Sequence, residues 1–160
     1  FKPSRNQRRT SNKNTDIEVI RKPAAFEQEH FMLYAKYIAH RHQGGGMEDP
    51  DPTSYMDFLT ASWADTSFVE FRLAQNLIGV AVLDRLDDGL SAVYTFFDPE
   101  HEKRSPGRFA ILAGIELTRQ LGLEWLYLGY WIEQCRKMAY KTEFSPHQKF
   151  VDGTWIDTDN

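Results

Sequence analysis

Between Phe68 and Phe97 three apolar runs follow one another with almost nothing between them: Phe68 to Gln75, Leu77 to Leu86 and Leu90 to Phe97, separated by Asn76 and by Asp87-Asp88-Gly89. A parallel strand pair needs a crossover of a dozen or more residues, so connections this short force an antiparallel meander. Every other element has to be fitted around that sheet. Upstream, Ile17, Val19 and Ile20 suggest a short first strand. Pro23 then precedes a helical stripe of Phe26, His30, Leu33, Tyr34, Tyr37 and Ile38 that runs to His42, where Gly44-Gly45-Gly46 stops it. Asp51-Pro52, an N-cap followed by proline at the first helical position, opens a shorter helix with Tyr55, Phe58, Leu59 and Ser62 facing inward. Downstream, Ser105-Pro106 starts a helix carried by Phe109, Leu112, Ile115 and Leu117 and ended at Gly122. Residues 123 to 130 read as a buried strand, about 133 to 143 as a basic helix bearing Lys137, Tyr140 and Lys141, and Phe150 to Ile156 as a last strand. The order is β-α-α-β-β-β-α-β-α-β, an α+β fold with a mixed, mostly antiparallel sheet flanked by helices.

Composition bounds the chain. With 160 residues, 41% hydrophobic and 14% aromatic, it can bury a core as a single domain. Residues 1 to 14, FKPSRNQRRTSNKN, are polar and basic without an apolar period and read as a tail or linker. A net charge of −4 argues against indiscriminate nucleic-acid binding. It hides three local basic clusters: Arg5, Arg8 and Arg9; Lys103, Arg104 and Arg108; and Arg136, Lys137 and Lys141. The single cysteine, Cys135, excludes an internal disulfide and an all-cysteine metal site, and no metal site is expected in this chain. With no apolar run of bilayer length and no charged-then-apolar leader, the expectation is a cytoplasmic protein without membrane contact.

A meander followed by helix, buried strand, helix and final strand resembles the GNAT-type acyltransferase fold. The resemblance implies an acyl donor entering between two splayed central strands, with its phosphates cradled at a helix N-terminus by the loop after the meander. Here that loop is His101-Glu102-Lys103-Arg104-Ser105-Pro106-Gly107-Arg108-Phe109. The usual coenzyme A pattern is Arg or Gln, two residues, Gly, one residue, then Gly or Ala. Arg104 and Gly107 are in step with it, but Phe109 stands where the last small residue belongs and Pro106 removes an N–H donor. The loop still offers Lys103, Arg104 and Arg108 to a phosphate-bearing donor, the plainer reading being a solvated basic loop.

Four segments together resemble the aminoacyl-tRNA–protein transferases: Phe1 to Arg9; Tyr34 through His42-Gln43-Gly44-Gly45-Gly46-Met47; Tyr94-Thr95-Phe96-Phe97-Asp98-Pro99; and Tyr127 to Lys141 with Ser145-Pro146-His147. The GGGM version and the compact size are closer to the bacterial aspartate/glutamate leucyltransferases than to the arginyl enzymes. The resemblance implies transfer of an amino acid, leucine ahead of arginine, from aminoacyl-tRNA to the α-amine of proteins beginning with Asp or Glu, which marks them for N-degron degradation. It also implies a further cysteine-rich domain ahead of the FKPSR segment, which this chain lacks. Residues 1 to 14 would lead from that domain, and any iron–sulfur or zinc group would belong to it, leaving aminoacyl-tRNA as the co-substrate here.

Residues can be assigned to the implied reaction. Selecting an acidic N-terminal residue needs guanidinium forks, for which Arg5, Arg8 and Arg9 stand first and Lys141 second. Lys103, Arg104, Arg108 and Lys137 would face tRNA phosphates. Tyr127 and Tyr130, where a buried strand ends, would donate to the oxyanion or the leaving 3′ oxygen, though core aromatics would look the same in sequence. His42 reads as a proton shuttle or as a structural histidine at a helix end. Trp63, Trp125, Trp131 and Trp155 read mostly as core residues, with stacking on the terminal adenine the alternative for one of them. Two other readings stay open, an acetyl-CoA-dependent N-acetyltransferase and a non-catalytic domain that recognises acidic N-termini.

Overall fold

The meander forms as its short turns dictate. The computed structural model describes residues 1–41, 50–135 and 138–158. In it β2 (Asp65–Leu73), β3 (Asn76–Arg85) and β4 (Gly89–Phe97) pair antiparallel in chain order, and β1 (Ile17–Pro23) adds antiparallel to the outside of β2. The first hairpin turns at Ala74-Gln75, not at Asn76, and both residues take left-handed backbone, φ 47° and 71°, as a two-residue hairpin turn requires. A short β5 (Trp125–Tyr127) joins the opposite edge parallel to β4, so the sheet order is β1-β2-β3-β4-β5. Strand β3 lies at its centre, covered on both faces, which is why Leu77 to Leu83 is an unbroken apolar run.

Alternation along the strands feeds two cores. On one face α2 (Gln28–Arg41) and α3 (Pro52–Leu59) lay Leu33, Tyr34, Tyr37, Ile38, Tyr55 and Leu59 over Phe68, Val80, Val82 and Phe96. On the other, α4 (Pro106–Gln120) packs Ala110, Phe109, Ala113 and Leu117 against Val69, Phe71, Ala81, Leu83 and Leu90. Asp51 caps α3 as expected, accepting from the Thr53 and Ser54 N–H groups at 3.0 and 3.1 Å. Phe58 and Ser62 do not turn inward: Ser62 is exposed, and Phe58 is 54% exposed with only an edge contact to Tyr94. Among the described residues no helix is long and apolar enough to cross a membrane.

Elsewhere the chain departs from its sequence pattern. The basic tail is a helix, α1 (Arg5–Lys13), opened by a reciprocal capping box between Ser4 and Gln7. It docks through amides in place of apolar residues. The Gln7 and Asn14 side chains, both 2% exposed, donate to the carbonyls of Glu143 at 2.9 Å and Arg104 at 3.0 Å. The expected strand over 123–130 shrinks to three half-buried residues of β5. The expected basic helix over 133–143 contains, among its described residues, only the 3-10 turn Ala139–Glu143, because Lys141 reaches back to the carbonyls of Leu128 and Tyr130 at 2.6 and 2.7 Å. The single last strand is a hairpin, β6 (His147–Val151) and β7 (Thr154–Thr158), turning at Asp152-Gly153 and forming a separate two-stranded sheet.

Candidate functional site

The parallel pairing of β4 with β5 covers only Gly89–Trp125, Leu90–Leu126 and Ser91–Tyr127. Gly89 permits it, because a Cβ there would stand 2.4 Å from the Trp125 carbonyl oxygen. Beyond Ser91 the pairing ends. Val93 then forms a β-bulge against β3, whose partners step from Leu83–Ala92 to Val82–Tyr94. A bulge re-aims the side chains beside it, and here Tyr94 points to the α2 face, with ring centroids 6.3 Å from both Tyr34 and Tyr37.

An aromatic and cationic corner forms around this opening. Tyr37 is also held by Phe97 at 5.0 Å, and the Arg41 guanidinium, on the last turn of α2, lies over the Tyr37 ring at 5.5 Å. From the other side comes the first turn of α4. Its N-cap Ser105 is left-handed, φ 57°, and gives no side-chain cap, so the Gly107 and Arg108 N–H groups have no side-chain acceptor. Arg108 grips Glu143 with two bonds, 3.0 and 2.7 Å, and lies over the Tyr140 ring at 5.6 Å. A Cβ added to Gly107 would come within 3.8 Å of the Tyr140 hydroxyl.

Burial sets the protonation of these phenols. It raises Tyr37 and Tyr140 above the usual phenol value and pushes Tyr94 up to about 12, while the charge of Arg41 pulls all three the other way. At neutral pH they are therefore neutral hydrogen-bond donors. Such donors can serve a developing oxyanion but cannot act as bases.

The four sequence segments converge on this corner. Phe1 stacks on Phe144 at 6.1 Å and Gln7 holds the Glu143 carbonyl. Tyr37 meets Tyr94 and Phe97, and Lys141 ties the end of β5 to the 139–143 turn. The residues assigned from sequence fall unevenly around it. Arg5, Arg8 and Arg9 are exposed on α1, with Arg8 donating to the Pro3 carbonyl at 2.6 Å. Lys141 is half-buried, and burial lowers its pKa; its ammonium is committed to two carbonyls. Lys103 is exposed, whereas Arg104 is turned inward to Asp16, at 2.8 and 2.9 Å, and to the Lys13 carbonyl. The Tyr127 hydroxyl donates to Asp88 at 3.0 Å, which aims it at the start of β4 and away from the opening. Tyr130 is 90% exposed. His42, Lys137 and the three glycines lie outside the described residues.

Arg41, Tyr37, Tyr94 and Tyr140 lie inside the resembling segments without standing out there as site residues. The i, i+4 spacing of Tyr37 and Arg41 was the available sign, since it places a cation at the end of an otherwise aromatic stripe. One further cluster has the ligand types of a metal site: Glu27, His30 and Glu70 bring their ligand atoms within 4.8 Å of one another. The Lys22 ammonium already sits there, 3.2 Å from Glu27 and 2.8 Å from Glu70, so a cation is built into the chain.

The profile of the family described as arginine-tRNA-protein transferase, C terminus, matches residues 29–151. A protein of Teredinibacter turnerae named aspartate/glutamate leucyltransferase is 50% identical over 160 residues, covering 99% of this chain and 66% of the relative. A protein of Hahella chejuensis with the same name is 49% identical over 156 residues, covering 98% and 67%. The chain thus spans about two thirds of the length of these curated relatives. Among solved structures, the PaiA N-acetyltransferase from Thermoplasma acidophilum in complex with coenzyme A superposes with a TM-score of 0.57 at 11% identity, covering 88% of this chain and 96% of that one. That likeness establishes the GNAT fold and nothing finer.

Proposed function

This chain belongs to the arginine-tRNA-protein transferase C-terminal family, and from that premise we propose that it transfers leucine from the 3′ end of tRNA to the α-amine of proteins beginning with Asp or Glu. The observation that carries this reading is the meeting of all four resembling segments at the opening between β4 and β5, through Tyr37, Tyr94, Tyr140 and Gln7. The reaction is ester aminolysis. The amine nitrogen bonds to the ester carbonyl, the carbonyl–ribose oxygen bond breaks, and a proton passes from the nitrogen to the departing 3′ oxygen. An α-amine titrates at roughly 8, so an appreciable fraction is neutral near pH 7 and alignment matters more than a strong base. Tyr94 and Tyr140 supply neutral phenols to the carbonyl oxygen as it becomes an oxyanion. The exposed Lys103 and the arginines of α1 meet tRNA phosphates, while Arg104 and Arg108, already ion-paired, hold the corner in shape.

A coenzyme A donor fits this chain less well. Pro106 removes an N–H from the first turn of α4, Phe109 packs in the core at 5.3 Å from Phe71, and Arg104 is committed to Asp16. The test is transfer of labelled leucine and, separately, arginine from charged tRNA to an Asp-initiated peptide, with an Ala-initiated peptide as control, using this chain and the full-length protein. Leucine on the Asp peptide alone is the expected result. Arginine alone would keep the mechanism and change the donor, and transfer of neither would overturn the proposal.

A further inference from the structure

We infer that Arg41 is the residue that reads the acidic side chain of the acceptor, an assignment that rests on the function proposed above and names the group giving it specificity. The argument begins with the cations themselves. Among the described residues Lys22, Lys36, Arg72, Arg104, Arg108 and Arg119 each pair with a carboxylate at 3.3 Å or less. Arg21 bonds Ser67, Arg85 the Leu86 carbonyl, and Lys141 two carbonyls of the segment after β5. Arg5, Arg8 and Arg9 stand on the exposed side of α1, a helix that meets the rest of the chain through Gln7 and Asn14. Arg41 is also exposed, but its place is different: it lies at the aromatic corner where β4 and β5 part, and no described carboxylate pairs with it.

Its surroundings suit recognition of one carboxylate. The guanidinium lies over Tyr37 and interacts with its hydroxyl, and Tyr37 is itself fixed between Tyr94 and Phe97, so the cation is held by neutral aromatic groups that do not cancel its charge. A guanidinium carries five N–H donors, so the contact with Tyr37 leaves enough of them for a bidentate carboxylate. The groups whose titration Arg41 influences, Tyr37, Tyr94 and Tyr140, are neutral phenols, so among the described residues none of these cancels its charge. Its position at the C-terminal end of α2 also stabilises the cation through the helix dipole. The same phenols line the place proposed for the ester carbonyl, so one corner holds the acceptor's side chain and the reacting centre together.

The experiment compares peptides beginning with Asp, Glu and Asn, using leucyl-tRNA and the full-length protein, for wild type, Arg41→Gln and Arg41→Lys. The expected result for Arg41→Gln is a fall of about 10- to 100-fold in the ratio of kcat/KM for the Asp peptide to that for the Asn peptide. Arg41→Lys should recover part of that ratio, since the charge remains and the fork is lost. An unchanged ratio in Arg41→Gln overturns the inference, and so does an equal loss on Asp and Asn peptides, which would mark Arg41 as a support of the fold or of the donor. Wild type that transfers to no peptide would instead sink the transferase reading itself.

Discussion

Glu70 is a carboxylate with no exposed surface, set in the middle of a strand. Burial alone would push its pKa up. Hydrogen bonds from Arg72 at 2.7 Å, Lys22 at 2.8 Å and the His30 ring at 2.7 Å outweigh that and hold it at about 2, below its ordinary 4.5. A depressed folded-state pKa means the stabilisation is complete above the unfolded value and is lost as pH falls from about 4.5 toward about 2. The size is about 3 kcal/mol. Glu29, lowered by the same Arg72, adds in the same direction. Thermal unfolding followed between pH 6 and 2.5 should show a steep loss of Tm below about pH 4.5, and Glu70→Gln should start lower and respond less steeply; equal slopes would refute the account. None of this was legible in Phe68 to Gln75, where Glu70 reads as one polar residue in an apolar run. Its partners come from β1, α2 and two residues further along its own strand, and only the register brings them together.

Among the elements, what could be read depended on what held each one. The meander, α2, α3 and α4 are held by apolar faces, and apolar spacing is visible in a sequence. Helix α1 is held by polar bonds, the Gln7 and Asn14 amides on two carbonyls and the Lys13 and Arg104 side chains on two more, so its sequence looks like a basic tail. The C-terminal hairpin was misread for a different reason: its Asp152-Gly153 turn is a strong hairpin sign, but its apolar residues stay exposed, Phe150 at 61% and Trp155 at 50%, and do not mark a buried face. β5 was overread, because only three residues of the apolar run 123–130 pair with β4. That short pairing depends on Gly89. Gly89→Ala would set a methyl against the Trp125 carbonyl and the Tyr127 ring, pushing β5 outward. The expected cost is about 1–3 kcal/mol of stability. Because β5 leads into the segment held by Lys141, leucyl transfer should also fall by more than the loss of folded protein explains. A variant with wild-type Tm and wild-type transfer would show that the strands do not need this close approach.

For the molecule as a whole, the balance of charge decides how the tRNA of the proposed reaction can be held. A net charge of −4, with four of the ten described arginines paired to carboxylates, limits the cations free for phosphate. The loop read as a phosphate cradle shows the point: of Lys103, Arg104 and Arg108, only Lys103 has no carboxylate partner among the described residues. With Arg5, Arg8 and Arg9 on α1 added, the cations proposed for tRNA make on the order of four phosphate contacts. Each contact contributes roughly 0.7 to 0.9 to the slope of log affinity against log salt, so the slope for leucyl-tRNA binding should be about −3 to −4, shallow for a nucleic-acid-binding protein. Lys103→Gln should flatten it by about one contact, whereas Arg104→Gln should act mainly by loosening α1 from the turn it is tied to, lowering Tm with little change in slope. Titrating binding between 50 and 300 mM salt separates the two. A slope steeper than about −6 in this chain would mean that cations beyond these four, from the paired arginines or from Lys2, Arg41 and Lys149, join the contact with tRNA.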